Sequence, residues 1–305
     1  MRVLTVGAGA IGGYFGGRLL QAGHDVTFLV RPGRAKELTS GGLRIHSPHG
    51  DVFFSSPPIV LANDLTEKFD VILLSCKSYD LIDAIQSFTP AVGPQTLIIP
   101  LLNGMKHLEM LDEKFGRERV LGGLCTIHTT LNEEREVVQL QPIQSLTFGD
   151  RGNNQPELLR SVDRLIGSGN FNGSISETIE QDMWEKWIFI TPLAAATCLM
   201  RASTDLILSA PGGRDFIATL IEECKSIATA YGHEPRDQFV EQRLSLLTAD
   251  GSPLTSSMFR DIQAGFRVEA DNLIGDLVTR AAAKAIPVPL LRVAYTHLKA
   301  YEAQH

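Results

Sequence analysis

A lysine in the middle of an otherwise apolar helical stripe is the first residue whose position suggests chemistry. The stripe recurs every three or four residues along one predicted helix face: Ile179, Met183, Lys186, Ile190 and Leu193. Burying an unpaired ammonium is costly, so such a group is normally paired, turned towards a ligand or extended into water. Loss of hydration would also lower the pKa of Lys186 and make it a usable general acid near neutral pH.

A carboxylate occupies a comparable position on a second predicted helix, residues 257–283. The apolar stripe of that helix contains Phe259, Ile262, Phe266, Glu269 and Leu273. Two interpretations remain open for these charges. Either they are structural, as an ion pair or as long side chains whose aliphatic stems cover the core, or Lys186 acts as an acid while Glu269 orients it or binds the substrate.

The N-terminus contains a glycine-rich turn of the kind that binds phosphates. It follows the apolar run Val3–Val6, opens a helical pattern over 11–22 and reads G-x-G-x-x-G: Gly7, Ala8, Gly9, Ala10, Ile11 and Gly12. In this motif the first glycine permits the tight turn, the second admits the pyrophosphate and the third lets helix and strand pack closely. The helix N-terminus favours the negative charge. We therefore predict that these residues bind a dinucleotide.

The end of the second predicted strand, 26–30, indicates which dinucleotide binds. Chains that bind NAD usually place an acidic residue there for the ribose hydroxyl, whereas this chain has Arg31, followed by Arg34. A guanidinium cannot accept a hydrogen bond from that hydroxyl, but it can donate two to a 2′-phosphate. These residues predict NADP(H) as the cofactor; the alternative is that both arginines are solvated surface charges.

Two further polar residues follow predicted strands of the same sheet. Lys77 comes directly after the apolar run 71–76, and Asn103, with Gly104, comes after 97–102. Ligands of open parallel sheets bind beyond the carboxyl ends of the strands, so we expect Lys77 and Asn103 at that edge. Taken singly, they read equally well as a surface lysine and an ordinary Asn-Gly turn.

The order of the predicted elements indicates the fold class. Short apolar runs alternate with helical patterns in the first half, which predicts βαβ units and a mainly parallel sheet in an α/β Rossmann domain. Long helical periods follow, which predicts an all-α C-terminal domain; we place the two domains at 1–176 and 177–305. The predicted strands are 3–6, 26–30, 71–75, 96–101, 120–126 and 140–150, with turns at 167–170 and 172–173; the predicted helices are 11–22, 178–200, 213–231, 236–247, 257–283 and 287–301, with Pro287 in a first turn and Gly232 as a cap.

Composition places the chain among soluble cytoplasmic proteins. Its 305 residues suit two domains, and its net charge of −7 argues against nucleic-acid binding. The N-terminus does not read as a signal peptide, and the apolar run 188–200 is too short to span a bilayer. The four cysteines lack metal-ligand spacing and indicate buried thiols of a reducing compartment, so we expect no metal site.

Taken together, these residues resemble the ketopantoate reductase family, the 2-dehydropantoate 2-reductases. The resemblance implies NADPH-dependent reduction of a small-molecule 2-oxo acid, ketopantoate to pantoate in pantothenate biosynthesis, by a Rossmann domain followed by a helical domain. It runs in order along nearly the whole chain, through the glycine motif, Arg31, Cys76-Lys77-Ser78-Tyr79, Asn103-Gly104-Met105, Trp184-Glu185-Lys186, Ser256-Ser257-Met258, Asp261-Ile262, and Glu269, twelve residues after Ser257.

The resemblance also implies a role for each matching residue. Lys186 is the general acid that protonates the carbonyl oxygen, and Glu269 closes the site beside cofactor and substrate. Asn103 sits between cofactor and substrate, and Ser257 helps to hold the substrate. Lys77 contacts the cofactor. Helical substrate domains of this kind often form homodimers.

The chain departs from the family pattern where the polar groups of the substrate bind. Members usually carry asparagines four and eight residues after the lysine and a third further on, whereas this chain has Ile190, Ala194 and Thr204. Thr130, near the nicotinamide, replaces a small residue. An apolar lining forfeits hydrogen bonds to a substrate hydroxyl and hence discrimination. Three hypotheses follow: a ketopantoate reductase with a variant pocket, a paralogous reductase of a more apolar 2-oxo acid, or a non-catalytic NADP(H)-binding sensor, against which the retained lysine argues.

Overall fold

The computed structural model describes residues 1–152, 156–249, 251 and 253–304. The chain forms two compact units. Unit 1 consists of Met1–Leu102 and His107–Glu180, and unit 2 consists of Asn103–Lys106 together with the chain from Gln181 onward. The short segment after the strand that ends at Pro100 therefore belongs to the helical unit.

Unit 1 is built from strands and helices that alternate along the chain. Its first half carries two successive βα pairs before a run of short strands. The elements are β1 (Arg2–Val6), α1 (Ala10–Gln21), β2 (Asp25–Leu29), α2 (Pro32–Gly41), β3 (Leu43–His46), β4 (Val52–Phe54), β5 (Ile59–Val60), β6 (Phe69–Leu74), α3 (Leu81–Phe88), β7 (Val92–Pro100), α4 (Lys106–Phe115), β8 (Gly122–Leu131), β9 (Val137–Gly149), α5 (Pro156–Gly167) and β10 (Asn172–Ile175).

The sheet that carries the glycine motif is wholly parallel. Its strand order is β5-β2-β1-β6-β7, and Val6 of β1 pairs with Leu29 of β2 and with Leu74 of β6. The central strands are buried, which explains why they read as continuous apolar runs rather than alternating ones. Their carboxyl ends are level, so the segments that begin at Gly7 and Ser75 start from the same edge.

A second sheet corrects part of the predicted topology. The predicted strands 120–126 and 140–150 are β8 and β9, which pair antiparallel with each other, while β9 also lies between β10 and β3 in the order β10-β9-β3-β4. Val120 alone continues the parallel sheet, as a bridge to Ile98. The turn predicted at 172–173 is also wrong, because these residues begin β10, which runs parallel to β9.

Across its described residues, unit 2 contains helices and no strands. A π-helical turn, Asp271–Gly275, precedes the helix Asp276–Ala283. Pro287 lies before its helix rather than in it, since Val288 is the N-cap and Pro289 the first helical residue. Gly232 follows Tyr231, the C-cap of the helix Gly213–Ala230, and has φ of +83°, the left-handed conformation with which a glycine ends a helix. The helices are α6 (Ile179–Met200), α7 (Thr204–Ser209), α8 (Gly213–Ala230), α9 (Asp237–Leu247), α10 (Ser257–Gln263), α11 (Asp276–Ala283) and α12 (Pro289–Glu302).

The single helix predicted over 257–283 is wrong. The first part, α10, ends at Gln263, and Gly265 then adopts the left-handed conformation with φ of +71°, which ends the helix. Residues 266–269 are not helical. Phe266, expected in the buried stripe, is 63% exposed. Within the described residues, no helix combines the length and the apolar character needed to cross a membrane.

Candidate active site

The three glycines of the motif meet different steric requirements. Gly7, with φ of +93°, makes the turn, and a Cβ on Gly12 would lie 2.1 Å from the carbonyl oxygen of Gly7. Around Gly9, the N-cap of α1, no heavy atom of the described residues other than Gly9 and its two chain neighbours lies within 4 Å of a Cβ position. Two of the glycines are therefore required by the fold itself, whereas Gly9 faces open space.

Arg34 supports the glycine motif rather than standing apart from it. Its Nε donates to the carbonyl oxygen of Ala8 at 3.0 Å, and its Nη1 bonds to Glu37 at 2.8 Å. Only 12% of the side chain is exposed. Arg34 is therefore committed to holding the turn, a role that its position after β2 did not reveal.

Arg31 is the more exposed of the two arginines. Its side chain is 66% exposed, and its Nη2 lies 2.9 Å from Asp80 and 3.7 Å from Asp83. The hydrogen bond to Asp80 raises the pKa of Arg31 above its ordinary value. A phosphate that approaches Arg31 must therefore compete with two carboxylates, which weakens the electrostatic advantage of a phosphorylated ribose.

Lys77 and Thr130 lie in different parts of unit 1. Lys77 is half-buried and directly precedes a 3₁₀ turn after β6, at the expected edge of the parallel sheet. Thr130 is exposed on β8, opposite Val138 of β9. The neighbouring Val137 packs against α1, within 2.9 Å of a Cβ position on Gly13. Thr130 therefore belongs to the strand pair that covers the start of α1, and not to the parallel strand ends.

Asn103 is held within unit 2 by the π-helical turn. The Nδ2 of Asn272 donates to the carbonyl oxygen of Asn103 at 2.6 Å, although 169 residues separate the two. Gly104 has φ of +78° and a Cβ there would meet the carbonyl oxygen of Asn272 at 3.0 Å. The Asn-Gly pair is thus a fixed turn whose main chain packs on the turn that follows Glu269.

Lys186 lies on α6 in a series of positions that becomes more buried along the helix. Lys186 and Ile190 are half-buried, and Ala194 is only 1% exposed. The indole nitrogen of Trp187 donates to the carbonyl oxygen of Leu273 at 2.9 Å. This bond fixes the rotation of α6 and hence the direction of the face that carries Lys186.

A buried ion pair stands beside Lys186 and was missed from sequence. The carboxylate of Glu185, 2% exposed, accepts from the main-chain nitrogen and the Nε of Arg236, both at 2.9 Å. Gln181 donates to the same carboxylate at 3.2 Å. Burial acts to raise the pKa of Glu185, but the hydrogen bonds from Arg236 outweigh it and hold that pKa below its usual range. Its place directly before Lys186 was the available signal.

The remaining predicted residues lie on two separate segments of unit 2. Ser257 is exposed at the start of α10, directly after the N-cap Ser256, whose hydroxyl accepts from the amide of Phe259. Glu269 is half-buried, and its carbonyl oxygen accepts from Leu273 of the π-helical turn at 3.0 Å. Thr204 is fully buried at the start of α7.

The thiols show no sign of a metal centre. Cys125, Cys198 and Cys224 are buried and Cys76 is half-buried, with none in a disulfide. Burial raises the pKa of Cys198 to about 12. In the part of the chain that the structure describes, no group of three His, Cys, Asp or Glu side chains could hold a metal ion.

Two family models cover most of the chain. The model described as "Ketopantoate reductase PanE/ApbA" matches residues 3–153, and "Ketopantoate reductase PanE/ApbA C terminal" matches residues 178–302. The chain belongs to the ketopantoate reductase family. It is accordingly an oxidoreductase of the class that reduces 2-oxo acids with a nicotinamide cofactor. The predicted family and fold class, a Rossmann domain followed by a helical domain, are confirmed.

Two relatives in sequence and one solved structure are similar to the chain over nearly its full length. "Uncharacterized oxidoreductase YkpB" of Bacillus subtilis is 36% identical over 304 residues, with 100% of each chain covered. A 2-dehydropantoate 2-reductase of Halobacterium salinarum is 27% identical over 299 residues, with 96% of each covered. The solved structure of D-mandelate dehydrogenase with NADH and anilino(oxo)acetate has a TM-score of 0.90 at 18% identity, covering 100% of this chain and 99% of that one, and so shares the fold.

Proposed function

We propose that the chain uses NADPH to reduce a 2-oxo acid with an apolar side chain to the 2-hydroxy acid. The observation that carries this proposal is the face of α6 beside Lys186. One turn after the lysine stands the half-buried Ile190, and two turns after it stands the buried Ala194. Neither side chain can hydrogen-bond to a substrate. The proposed proton donor, Lys186, is retained, while the surface beside it is apolar.

The N-terminal domain, residues 1–176, binds the cofactor in this proposal. The open space at Gly9 receives the pyrophosphate, and the amide groups at the start of α1 face its charge. The loop from Gly7 to Gly12, with Lys77, lines the nucleotide, and Arg31 approaches its 2′-phosphate; Thr130, on the second sheet, takes no part in this binding. When bound, the cofactor supplies the hydride that reduces the carbonyl carbon.

The C-terminal domain, residues 177–305, supplies the proton and most of the substrate contacts. The ammonium of Lys186 donates its proton to the carbonyl oxygen as negative charge develops there, and solvent restores the proton. The amide of Asn103 holds substrate and cofactor in register, and Ser257 donates a hydrogen bond to the substrate. Glu269 orients the lysine and limits the entry of water. Because these groups are held in place, the proton transfer does not require the acid and the carbonyl oxygen to find the reactive orientation by chance.

Ketopantoate itself is the second candidate. It is favoured by the 27% identical 2-dehydropantoate 2-reductase, which matches over nearly the full length. Against it stands the cost of removing its hydroxyl from water beside Ile190 and Ala194, about 1–3 kcal/mol when the hydrogen bond is not replaced. Thr204, at the third variant position, is fully buried and its main-chain nitrogen donates to Leu254, which ties it into the fold.

A pair of substrates that differ in one hydroxyl tests the proposal. NADPH oxidation is measured with ketopantoate and with 3,3-dimethyl-2-oxobutanoate, its analogue without the hydroxyl, and with phenylglyoxylate as an aromatic probe. We expect the analogue to equal or exceed ketopantoate in kcat/KM, and Ile190→Asn to shift the ratio back towards ketopantoate. A preference for ketopantoate of tenfold or more in the wild type would instead establish the second candidate. Turnover of none of the three would reject this proposal.

The cofactor preference has its own test, because Arg31 is shared with Asp80 and Asp83. Titration of NADPH and NADH by fluorescence gives both dissociation constants. Arg31→Ala should weaken NADPH binding roughly tenfold, the loss of one charge-assisted contact, and leave NADH binding unchanged. Arg44→Ala, an exposed arginine that pairs with Glu136 in the second sheet, is the matched control. Tighter binding of NADH than of NADPH in the wild type would reject the NADP(H) assignment.

A further inference from the structure

The π-helical turn, Asp271–Gly275, touches three segments that carry proposed site residues. It begins two residues after Glu269, and the amide of Leu273 donates back to the carbonyl oxygen of Glu269 at 3.0 Å. Asn272 holds Asn103, and the carbonyl oxygen of Leu273 receives hydrogen bonds from α6. These residues are far apart in sequence, so the turn is the structural element that gathers them.

The bond from Asn272 is directed at one atom of the Asn103 segment. Its Nδ2 lies 2.6 Å from the carbonyl oxygen of Asn103, and the asparagine is only 7% exposed. Without this hydrogen bond an apolar side chain would be more stable at so buried a position, because a buried amide costs free energy unless it is hydrogen-bonded. The close approach of Gly104 to the main chain of Asn272 leaves the segment little room to move.

The next residue of the turn fixes α6. The carbonyl oxygen of Leu273 accepts from the indole nitrogen of Trp187 at 2.9 Å and lies 3.4 Å from the hydroxyl of Thr191. Both donors are fully buried, and each is adjacent in sequence to a residue of the Lys186 face. A π-helical turn interrupts the regular bonding of a helix and occurs often at functional sites. In this turn one carbonyl oxygen, that of Leu273, accepts hydrogen bonds from both Trp187 and Thr191.

We propose that Asn272 is a positioning residue for the reduction, acting through Asn103. Its hydrogen bond fixes the carbonyl group of Asn103 and thereby sets the direction in which the side-chain amide of Asn103 meets substrate and cofactor. This inference rests on the proposed function for its consequence in catalysis, while the hydrogen bond itself is independent of that function. Misplacement of a contacting group by about 1 Å costs up to roughly 100-fold in rate, so we expect loss of the hydrogen bond from Asn272 to Asn103 to lower the rate about tenfold.

A double-mutant cycle separates positioning from a merely structural role. Asn272→Leu removes the donor while keeping the branched heavy-atom skeleton of the side chain, and the smaller Asn272→Ala is the second variant should the larger leucine disturb folding. We expect kcat/KM for the preferred 2-oxo acid to fall about tenfold in Asn272→Leu. In the background of Asn103→Ala the same change should cause no further fall, since the group that it positions is already gone. Falls that multiply independently would overturn the proposal.

Hydrogen exchange gives a readout that does not depend on activity. In Asn272→Leu, the amides of the segment 103–106 should exchange at least tenfold faster than in the wild type. Ile227→Val, in the buried core of α8, serves as the control for general destabilisation and should leave that segment unchanged at a similar Tm. If the wild type reduces no 2-oxo acid, the proposed function fails, but hydrogen exchange still shows whether Asn272 holds the segment 103–106 in place. Unchanged exchange in Asn272→Leu and Asn272→Ala would overturn it.

Discussion

The buried pair of Glu185 and Arg236 predicts an asymmetry between two substitutions. Only 2% of the Glu185 side chain is exposed, against 56% for Arg236. Glu185→Ala removes the buried charge and lets Arg236 return to water. Arg236→Ala leaves a carboxylate in the interior without its guanidinium partner. The change at the more exposed residue should therefore be the more destabilising one.

The magnitudes follow from the exposure of each partner. Breaking a buried pair while one charge stays inside costs about 3–5 kcal/mol. Because water screens the exposed guanidinium, Arg236→Ala should fall near the lower end, about 3 kcal/mol. Glu185→Ala loses hydrogen bonds to a charged acceptor and should cost about 2 kcal/mol. At roughly 2–4 °C per kcal/mol, these values lower Tm by about 6–12 °C and 4–8 °C respectively.

Thermal unfolding followed by circular dichroism measures both variants at pH 7, and a pH series provides an independent check. The native pKa of Glu185 is held below its unfolded value. The contribution of the pair is therefore present above about pH 4.3 and is lost as the pH falls through the depressed native pKa. The Tm difference between wild type and Arg236→Ala should shrink in that acidic range. A milder effect for Arg236→Ala than for Glu185→Ala would refute the reasoning.

Three further predictions concern the acid, the glycine motif and the second sheet. Lys186→Ala should lower kcat by about 10²–10⁴-fold while NADPH binding, measured by fluorescence, stays within twofold; a folded variant with near-normal turnover would make Lys186 structural. Gly9→Ala should keep the wild-type Tm but weaken NADPH binding, whereas Gly12→Ala should lower both, and equal behaviour of the two would contradict the roles assigned to them. The hydrogen bond that the imidazole of His46 donates to Glu136 raises the pKa of His46, so this pair should stabilise the protein fully below about pH 6.5 and progressively less above it; a Tm difference between wild type and His46→Asn that grows with pH would contradict this.

Local requirements made the glycine motif readable from the sequence. The turn at Gly7 and the close packing at Gly12 involve neighbouring residues and the adjacent strand, so spacing alone implies them. Long apolar periods identified α6 and α8 to within a residue or two for the same reason, since one face of each helix must be buried over many turns. Lys186 was found on α6 because its charge interrupts the apolar period of that helix.

Spacing alone could not show where contacts between distant segments change a local pattern. The residues of 257–283 retain a helical period across Gly265, yet the helix stops there, and Phe266 is exposed. Strands β8 and β9 read as members of the parallel sheet, although they pair with each other, because an apolar run carries no record of its partner. Arg34 likewise reads as a second phosphate ligand until its bond to Ala8 is seen.

The sequence by itself therefore determined the glycine-rich turn at the start of the chain, the two kinds of domain and the identity of the proposed acid, because each depends on residues close together in the chain. Only the tertiary structure decided how the acid's helix is rotated and which unit holds Asn103. The bonds responsible join Trp187 to Leu273 and Asn272 to Asn103, 86 and 169 residues apart. A hydrogen bond between such distant groups exists only after the chain has folded, and no local spacing encodes it.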